Sequence, residues 1–274
     1  MNSNFKPDLN VAAFPLAYDD SGGSGSPVIL LPGAGDIRSE NRFLARALAD
    51  AGYRVINADL PGHGESNIAC AYGVAESAAA LLSLIHELDC GPATVIATSF
   101  APAAAVWAAA SEPQQVNAVV AISPHLEAQE SINGRILRVV MSVLLSGPWA
   151  SSIWSRFYRS WYKSRAPDDL ECEINKLQTM LKDPQRRKAV RETLTAHRKG
   201  MPEKIASFNR PALVIFGSAD DHFPEPTNEA TRVGSLLNAE ILTVAGAGHY
   251  PHVEHPEIVN RSVVEFLNGL RPGS

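Results

Sequence analysis

The stretch Val95-Ile96-Ala97-Thr98-Ser99-Phe100-Ala101-Pro102 decides how this chain is read. An apolar run rich in β-formers, Ala93 to Ala97, ends on a serine. An alanine-rich segment, Pro102 to Ala110, follows at once, and alanine is the strongest helix former. No turn residues separate the two, so the chain must reverse at Ser99. Strand, sharp turn and helix then hold a hydroxyl at the apex, the geometry of a nucleophile elbow. Strand and helix backbones approach closely in such a turn, so only small neighbours fit. Glycine usually flanks the serine; here Ala97 and Ala101 stand in its place. The pattern is short, and its meaning rests on the remainder of the chain.

Outward from Ser99, strand-like and helix-like segments alternate. Val11 to Tyr18, with the Gly/Ser-rich turn Asp19 to Ser26, predicts an N-terminal strand and hairpin. Val28 to Leu31 is a continuous apolar run, as in a strand buried on both faces, and it ends at Pro32-Gly33-Ala34-Gly35. Ser39 reads as the N-cap of a helix through Ala51. Tyr53 to Ala58 is the next strand, followed by the loop Asp59-Leu60-Pro61-Gly62-His63-Gly64-Glu65-Ser66. A helix over Tyr72 to Leu88 leads through Gly91-Pro92 into the serine strand, and Ala118 to Ile122 is a strand again. This alternation predicts an α/β fold with a mostly parallel sheet covered on both faces. Right-handed crossovers place the strand C-termini, and with them a ligand site, along one edge.

From His125 to Phe208 the strand rhythm stops. Ile132 to Leu145, Ala150 to Ser164, Pro167 to Lys182 and Pro184 to Lys199 all read as helices. We expect a helical lid, 125–208, inserted into a core made of 1–124 and 209–274. Strands resume at Ala212 to Phe216 and Glu240 to Val244, with a helix near Thr227 to Leu237 between them and a last helix from Pro256.

Composition narrows the function class. With 274 residues, 45% hydrophobic and 19% charged, the chain has the make-up of an ordinary globular protein with one substantial core. A net charge of −5 argues against nucleic acid as a partner. Met1 to Asn10 is polar and lacks the apolar core of a signal peptide. Ile136 to Leu145 is too short to span a bilayer and carries Arg138. The cysteines Cys70, Cys90 and Cys172 have no metal-ligand spacing. The expectation is a cytoplasmic protein with a small-molecule substrate, as a monomer or homodimer, with neither a nucleic-acid nor a membrane partner.

Two later strand ends carry the chemistry. Val214-Ile215-Phe216-Gly217 runs into Ser218-Ala219-Asp220-Asp221-His222-Phe223-Pro224, and Leu242-Thr243-Val244 runs into Ala245-Gly246-Ala247-Gly248-His249. A serine hydroxyl needs a histidine to take its proton and a carboxylate to orient that imidazole. Ser99, an acid and a histidine thus follow one another in the chain, each just past the C-terminal end of a different strand. At this point the sequence resembles the α/β-hydrolase family over nearly its whole length. Pro32-Gly33, Asp59 to Ser66, Gly217-x-x-Asp220-x-x-x-Pro224 and Gly248-His249 are similar to its recurring blocks, in family order.

The resemblance implies an eight-stranded, mostly parallel sheet with helices on both faces and an inserted helical lid. It implies Ser99 as nucleophile, His249 as general base and then acid, and Asp220 as the orienting acid. The N–H groups of Ala34 and Phe100 would form the oxyanion hole. Pro32 departs from the pattern, since many relatives have histidine there. A serine at the elbow argues against the halide- and epoxide-cleaving branches, which use aspartate. No metal or organic cofactor is needed for such chemistry.

Competing readings stay open. Asp221 or Glu127 could replace Asp220. His252 and His255 lie close to His249 but are expected to face solvent or pack on Pro251 and Pro256. His63 reads as architectural, and Arg38 as an ion-pair member rather than an anion ligand. Trp154, Phe157, Tyr158 and Trp161 form an aromatic stripe at helical spacing that packs the lid's underside and could touch substrate. The expected substrate is a small to medium hydrophobic carboxylic ester, lactone or thioester. The alternatives are a carbon–carbon bond hydrolase, lyase or cofactor-free oxygenase on the same residues, or a non-catalytic ligand receptor.

Overall fold

The computed structural model describes residues 15–127 and 139–270. Seven strands make one sheet: β1 (Tyr18–Asp20), β2 (Pro27–Leu31), β3 (Arg54–Ala58), β4 (Ala93–Thr98), β5 (Val116–Ile122), β6 (Ala212–Gly217) and β7 (Glu240–Val244). Their order is β1-β3-β2-β4-β5-β6-β7; β1 runs antiparallel to β3 and every other pairing is parallel. The described residues thus carry seven strands rather than the eight expected. Half of the strand expected over Val11 to Tyr18, residues 11–14, falls outside them; of the described half only Tyr18 is strand, opening β1, which pairs with β3 rather than forming the expected hairpin with β2.

Strands buried on both faces explain the continuous apolar runs. In β2, Val28 and Leu30 enter one core while Ile29 and Leu31 enter the other, and in β4 Ile96 opposes Val95 and Ala97. One face is covered by α2 (Val74–Glu87), α3 (Ala101–Ser111) and α8 (Pro226–Leu237). The opposite face is covered by α1 (Arg42–Asp50) and α10 (Pro256–Gly269) through Leu44, Leu48, Val259, Val263 and Phe266. Alanine makes up most of α3, and Ala101, Ala103, Ala104, Ala105 and Ala108 are fully buried. Side chains this small let the helix that follows Ser99 lie close against the sheet.

Between β5 and β6 lie α4 (Ala150–Ser160), α5 (Leu170–Lys182), α6 (Pro184–Thr195) and α7 (Met201–Ser207). Asp183 caps α6 by accepting from the Gln185 N–H at 2.7 Å, and Pro184 sits where its missing N–H costs nothing. Half of the helix expected over Ile132 to Leu145, residues 132–138, lies outside the described residues, and 139–144 are helical as expected; α7 was not expected. A short helix, α9 (Pro251–Glu254), precedes α10. Ser39 does not cap α1: it sits in a 3-10 turn, Arg38–Asn41, and its hydroxyl donates to Glu173 instead. No helix among the described residues is long and apolar enough to cross a membrane.

Candidate active site

Ser99 stands between β4 and α3 with φ +60°, in the left-handed region. That backbone costs a non-glycine residue about 1–2 kcal/mol. Two main-chain bonds hold it there: the Ser99 N–H donates to Ile122 O at 2.8 Å, and Ser99 O accepts from the His125 N–H at 2.8 Å. The strained residue is thus pinned to the end of β5. Ala97 and Ala101 are both buried, so the alanines that replace the usual glycines are accommodated.

The loop after β2 closes on the serine from the other side. A Cβ on Gly33 would lie 2.9 Å from Asp36 Oδ2 and 3.2 Å from Ser99 Cβ. A side chain at position 33 would crowd both Asp36 and Ser99. Ala34 and Phe100 both line the cavity that contains Ser99. The first N–H groups of a helix lack intrahelical acceptors, so that of Phe100 is free to meet a ligand. Gly35, at φ +87°, passes directly beneath Trp154, whose indole N–H donates to Gly35 O at 3.0 Å.

Asp220 and His249 meet across β6 and β7. His249 Nδ1 lies 2.9 Å from Asp220 Oδ2, and both side chains are fully buried. Asp220 Oδ1 accepts from the His222 N–H at 3.1 Å. Burial opposes the charge on Asp220, but the His249 ring and these hydrogen bonds outweigh it and hold the carboxyl well below its ordinary range. Asp221 is exposed and pairs with Lys163 at 2.7 Å, and Glu127 pairs with Arg232, so among the described residues Asp220 alone addresses the imidazole.

A second acid, one the sequence reading left without a role, fixes the His249 loop. The buried Glu254 accepts from the Gly248 N–H at 2.6 Å, and its other oxygen accepts from Lys163 N, Ser164 N and Ser164 Oγ at 2.7–3.0 Å. The His249 N–H donates to Trp161 O at 3.0 Å. Glu254 thereby ties this loop to the segment that follows α4.

The Ser99 cavity holds about 520 Å³ and is walled by Asp36, His125, Trp154, Phe157, Trp161, Arg198, His222 and Tyr250, with Ser99 and His249. Trp154, Phe157 and Trp161 line it. Tyr158 does not: it is buried against Tyr162 and Tyr250, and the Tyr162 hydroxyl donates to its oxygen at 3.0 Å. A larger surface depression of about 950 Å³ contains Arg38 and none of the candidate site residues. Arg38 is committed there to Asp19, Asp59 and Glu65, which bears out the ion-pair reading.

One expectation about the histidines needs correction. His252 neither faces solvent nor merely packs on prolines: it is buried with Nε2 2.7 Å from Glu40, because α9 presses it against the loop after β2. His255 meets Ser164 Oγ at 2.8 Å and Glu257 at 3.6 Å. His63 is buried with Nδ1 3.0 Å from Pro61 O, away from the cavity.

His125, His222 and Arg198 escaped the sequence reading. His125 stacks on Phe223 at 4.5 Å, and His222 lies 3.8 Å from His249, ring centre to ring centre. Burial and the neighbouring His249 lower both, His125 to about 3, so both rings are neutral. One ring nitrogen from each of His125, His222 and His249 lies within 4.8 Å of the other two, a grouping that can hold a metal ion. Arg198 stands over the Phe100 ring at 5.0 Å, and its Nη1 is buried without a hydrogen-bond partner among the described residues. Burial lowers it to about 10, leaving it charged at neutral pH. Asp36 is buried beside Glu40, and burial with that neighbour's charge pushes its carboxyl well above the usual range, against the Tyr250 hydroxyl that donates to it at 2.8 Å.

Comparison with known proteins agrees with this architecture. The chain is 28% identical over 263 residues to a 2-hydroxy-6-oxononadienedioate/2-hydroxy-6-oxononatrienedioate hydrolase of Burkholderia vietnamiensis, covering 91% of this chain and 90% of that one. Its fold is similar to that of a bromoperoxidase from Bacillus anthracis, with a TM-score of 0.81 at 18% identity, covering 95% of this chain and 98% of that one. It is also similar to the fold of an enol-lactonase from Burkholderia xenovorans, with a TM-score of 0.78 at 19% identity, covering 94% and 99%. The sequence model of the alpha/beta hydrolase family matches residues 28–262. That match runs unbroken from β2 into α10 and takes in every loop that reaches the cavity, so the chain belongs to the alpha/beta hydrolase family.

Proposed function

We propose that the protein is a serine hydrolase that cleaves its substrate through an acyl-enzyme on Ser99, beneath a helical lid formed by 125–208. The observation that carries the reading is the buried Asp220–His249 hydrogen bond at 2.9 Å, opening into the cavity that holds Ser99. Asp220 fixes Nδ1 as the protonated nitrogen and leaves Nε2 to act as base. The Ser99 Oγ proton passes to His249 while Oγ attacks the carbonyl carbon. The oxyanion forms against the N–H groups of Ala34 and Phe100, each worth about 3–4 kcal/mol by the usual effect of deleting such a donor. His249 then protonates the leaving group, activates water, and the acyl-enzyme is hydrolysed.

Arg198 refines the substrate class. A guanidinium buried in the cavity with an unpartnered N–H suits a substrate that carries a carboxylate away from the scissile carbonyl. This favours an anionic ester or lactone over a purely hydrophobic one. It also favours carbon–carbon bond hydrolysis as the second reading, since the Burkholderia vietnamiensis relative is named for a dioate.

The test is a turnover screen across p-nitrophenyl butyrate, a p-nitrophenyl hemisuccinate, a lactone, a thioester and a 2-hydroxy-6-oxo-dienedioate. We expect the hemisuccinate to exceed the butyrate in kcat/KM. Turnover of the dienedioate alone would move the assignment to the carbon–carbon class, and a folded protein inert on the whole panel would contradict hydrolysis.

A further inference from the structure

We propose that His125, His222 and His249 form a site for a divalent transition metal, Zn²⁺ above all, whose occupancy silences Ser99. Three imidazoles from three different loops, those after β5, β6 and β7, converge in one cavity with a ring nitrogen of each within 4.8 Å of the other two. Zn²⁺ bound at 2.0–2.1 Å in a tetrahedron holds its ligands about 3.4 Å apart, so binding requires the three nitrogens to draw together from within 4.8 Å. Nothing in serine hydrolysis calls for His125 or His222. Both make ring contacts, with Phe223, Trp161 and His249, and neither side chain makes a hydrogen bond within the described residues.

The surroundings fit a metal with an open position. Asp220 already grips His249 Nδ1, the carboxylate–histidine arrangement that orients a metal-ligating imidazole from behind. That leaves His249 Nε2 as its ligand atom, and three histidines with a fourth place facing the cavity make the donor set of an open zinc site. The ligand type selects Zn²⁺, Co²⁺, Ni²⁺ or Cu²⁺ over Mg²⁺ and Ca²⁺, which prefer oxygen. Arg198 opposes the ion's charge from the same cavity, and Asp220 offsets it. A metal on His249 Nε2 takes the lone pair that would accept the Ser99 proton. Metal binding and acylation are therefore exclusive. The exclusivity rests on the serine-hydrolase reading; the site itself does not.

The experiment is zinc binding to the chelator-stripped full chain by titration calorimetry, with Co²⁺ absorption as a second readout. We expect one Zn²⁺ per chain and the intense visible bands of four-coordinate Co²⁺. His222→Gln and His125→Gln, each checked for folding by circular dichroism, should weaken binding by at least about 100-fold, beyond what loss of an outer partner costs. Saturating Zn²⁺ should also shield Ser99 of the wild type from a fluorophosphonate probe.

Absence of binding at 100-fold molar excess of Zn²⁺, or equally tight binding in both folded variants, overturns the site. Equal labelling with and without bound zinc overturns its placement on His249. A wild type that binds zinc but is never labelled even when stripped contradicts the serine-hydrolase reading and leaves the metal site standing.

Discussion

At the scale of single residues, the proposed chemistry depends on which acid addresses His249. Asp220 is buried and bonded to the imidazole, whereas its neighbour Asp221 is exposed on Lys163. Asp220→Asn should lower kcat by about 10⁴-fold, the cost of presenting the wrong imidazole tautomer in a serine triad. Asp221→Asn should lower it far less, and steady-state ester kinetics decide between them. Arg198→Gln should raise KM for an anionic ester about 10- to 100-fold, the worth of a hydrogen bond to a charged group, and leave a neutral ester nearly unchanged. An equal effect on both esters would reduce Arg198 to a packing residue.

Among elements, α4 and the loop after β2 act on one another. Trp154 donates to Gly35 O, and a Cβ on Gly35 would fall 2.1 Å from the Trp154 ring at a φ of +87°. Strain and overpacking together should make Gly35→Ala about 2–4 kcal/mol less stable. Its kcat should fall as well, since Ala34 is the adjacent residue. Trp154→Phe keeps the bulk and removes the donor, so chemical denaturation should show a smaller loss, about 1 kcal/mol. Helical periodicity put Trp154, Phe157, Tyr158 and Trp161 in one stripe. It could not say that Tyr158 meets Tyr250 while Trp161 reaches the cavity, because that depends on what α9 and its preceding loop bring opposite.

For the whole molecule, pH tests the packing of a buried histidine outside the cavity. Burial lowers His63 from 6.5 to about 4, only partly offset by the Pro61 carbonyl. A depressed folded-state value means the contribution is complete above pH 6.5 and is lost as pH falls from 6.5 through 4. One unit corresponds to about 1.4 kcal/mol, so the loss amounts to about 3 kcal/mol across that window. Denaturation midpoints should fall over this range, and His63→Gln should flatten the fall; an identical slope in the variant would assign it elsewhere.

The sheet and the order Ser99, Asp220, His249 were legible because buried strands and tight turns leave periodic, glycine-marked signals. His125, His222 and Arg198 were not, because they sit in loops whose spacing carries no period, and Glu254 was not, because it ends a helix of four residues, too short to show one. Their roles arise only when three strand ends and the chain between β5 and β6 converge. Ser123-Pro124 before His125 and Pro224 after His222 marked the two loops, without saying that their rings would meet.

The central claim is that Ser99 is the acylated nucleophile. Intact-mass measurement after incubation with a fluorophosphonate tests it most directly, followed by peptide mapping of the adduct. One adduct per wild-type chain, located on Ser99 and absent from Ser99→Ala, is the predicted result. An unmodified but folded wild type, or an adduct that persists in Ser99→Ala, would contradict it.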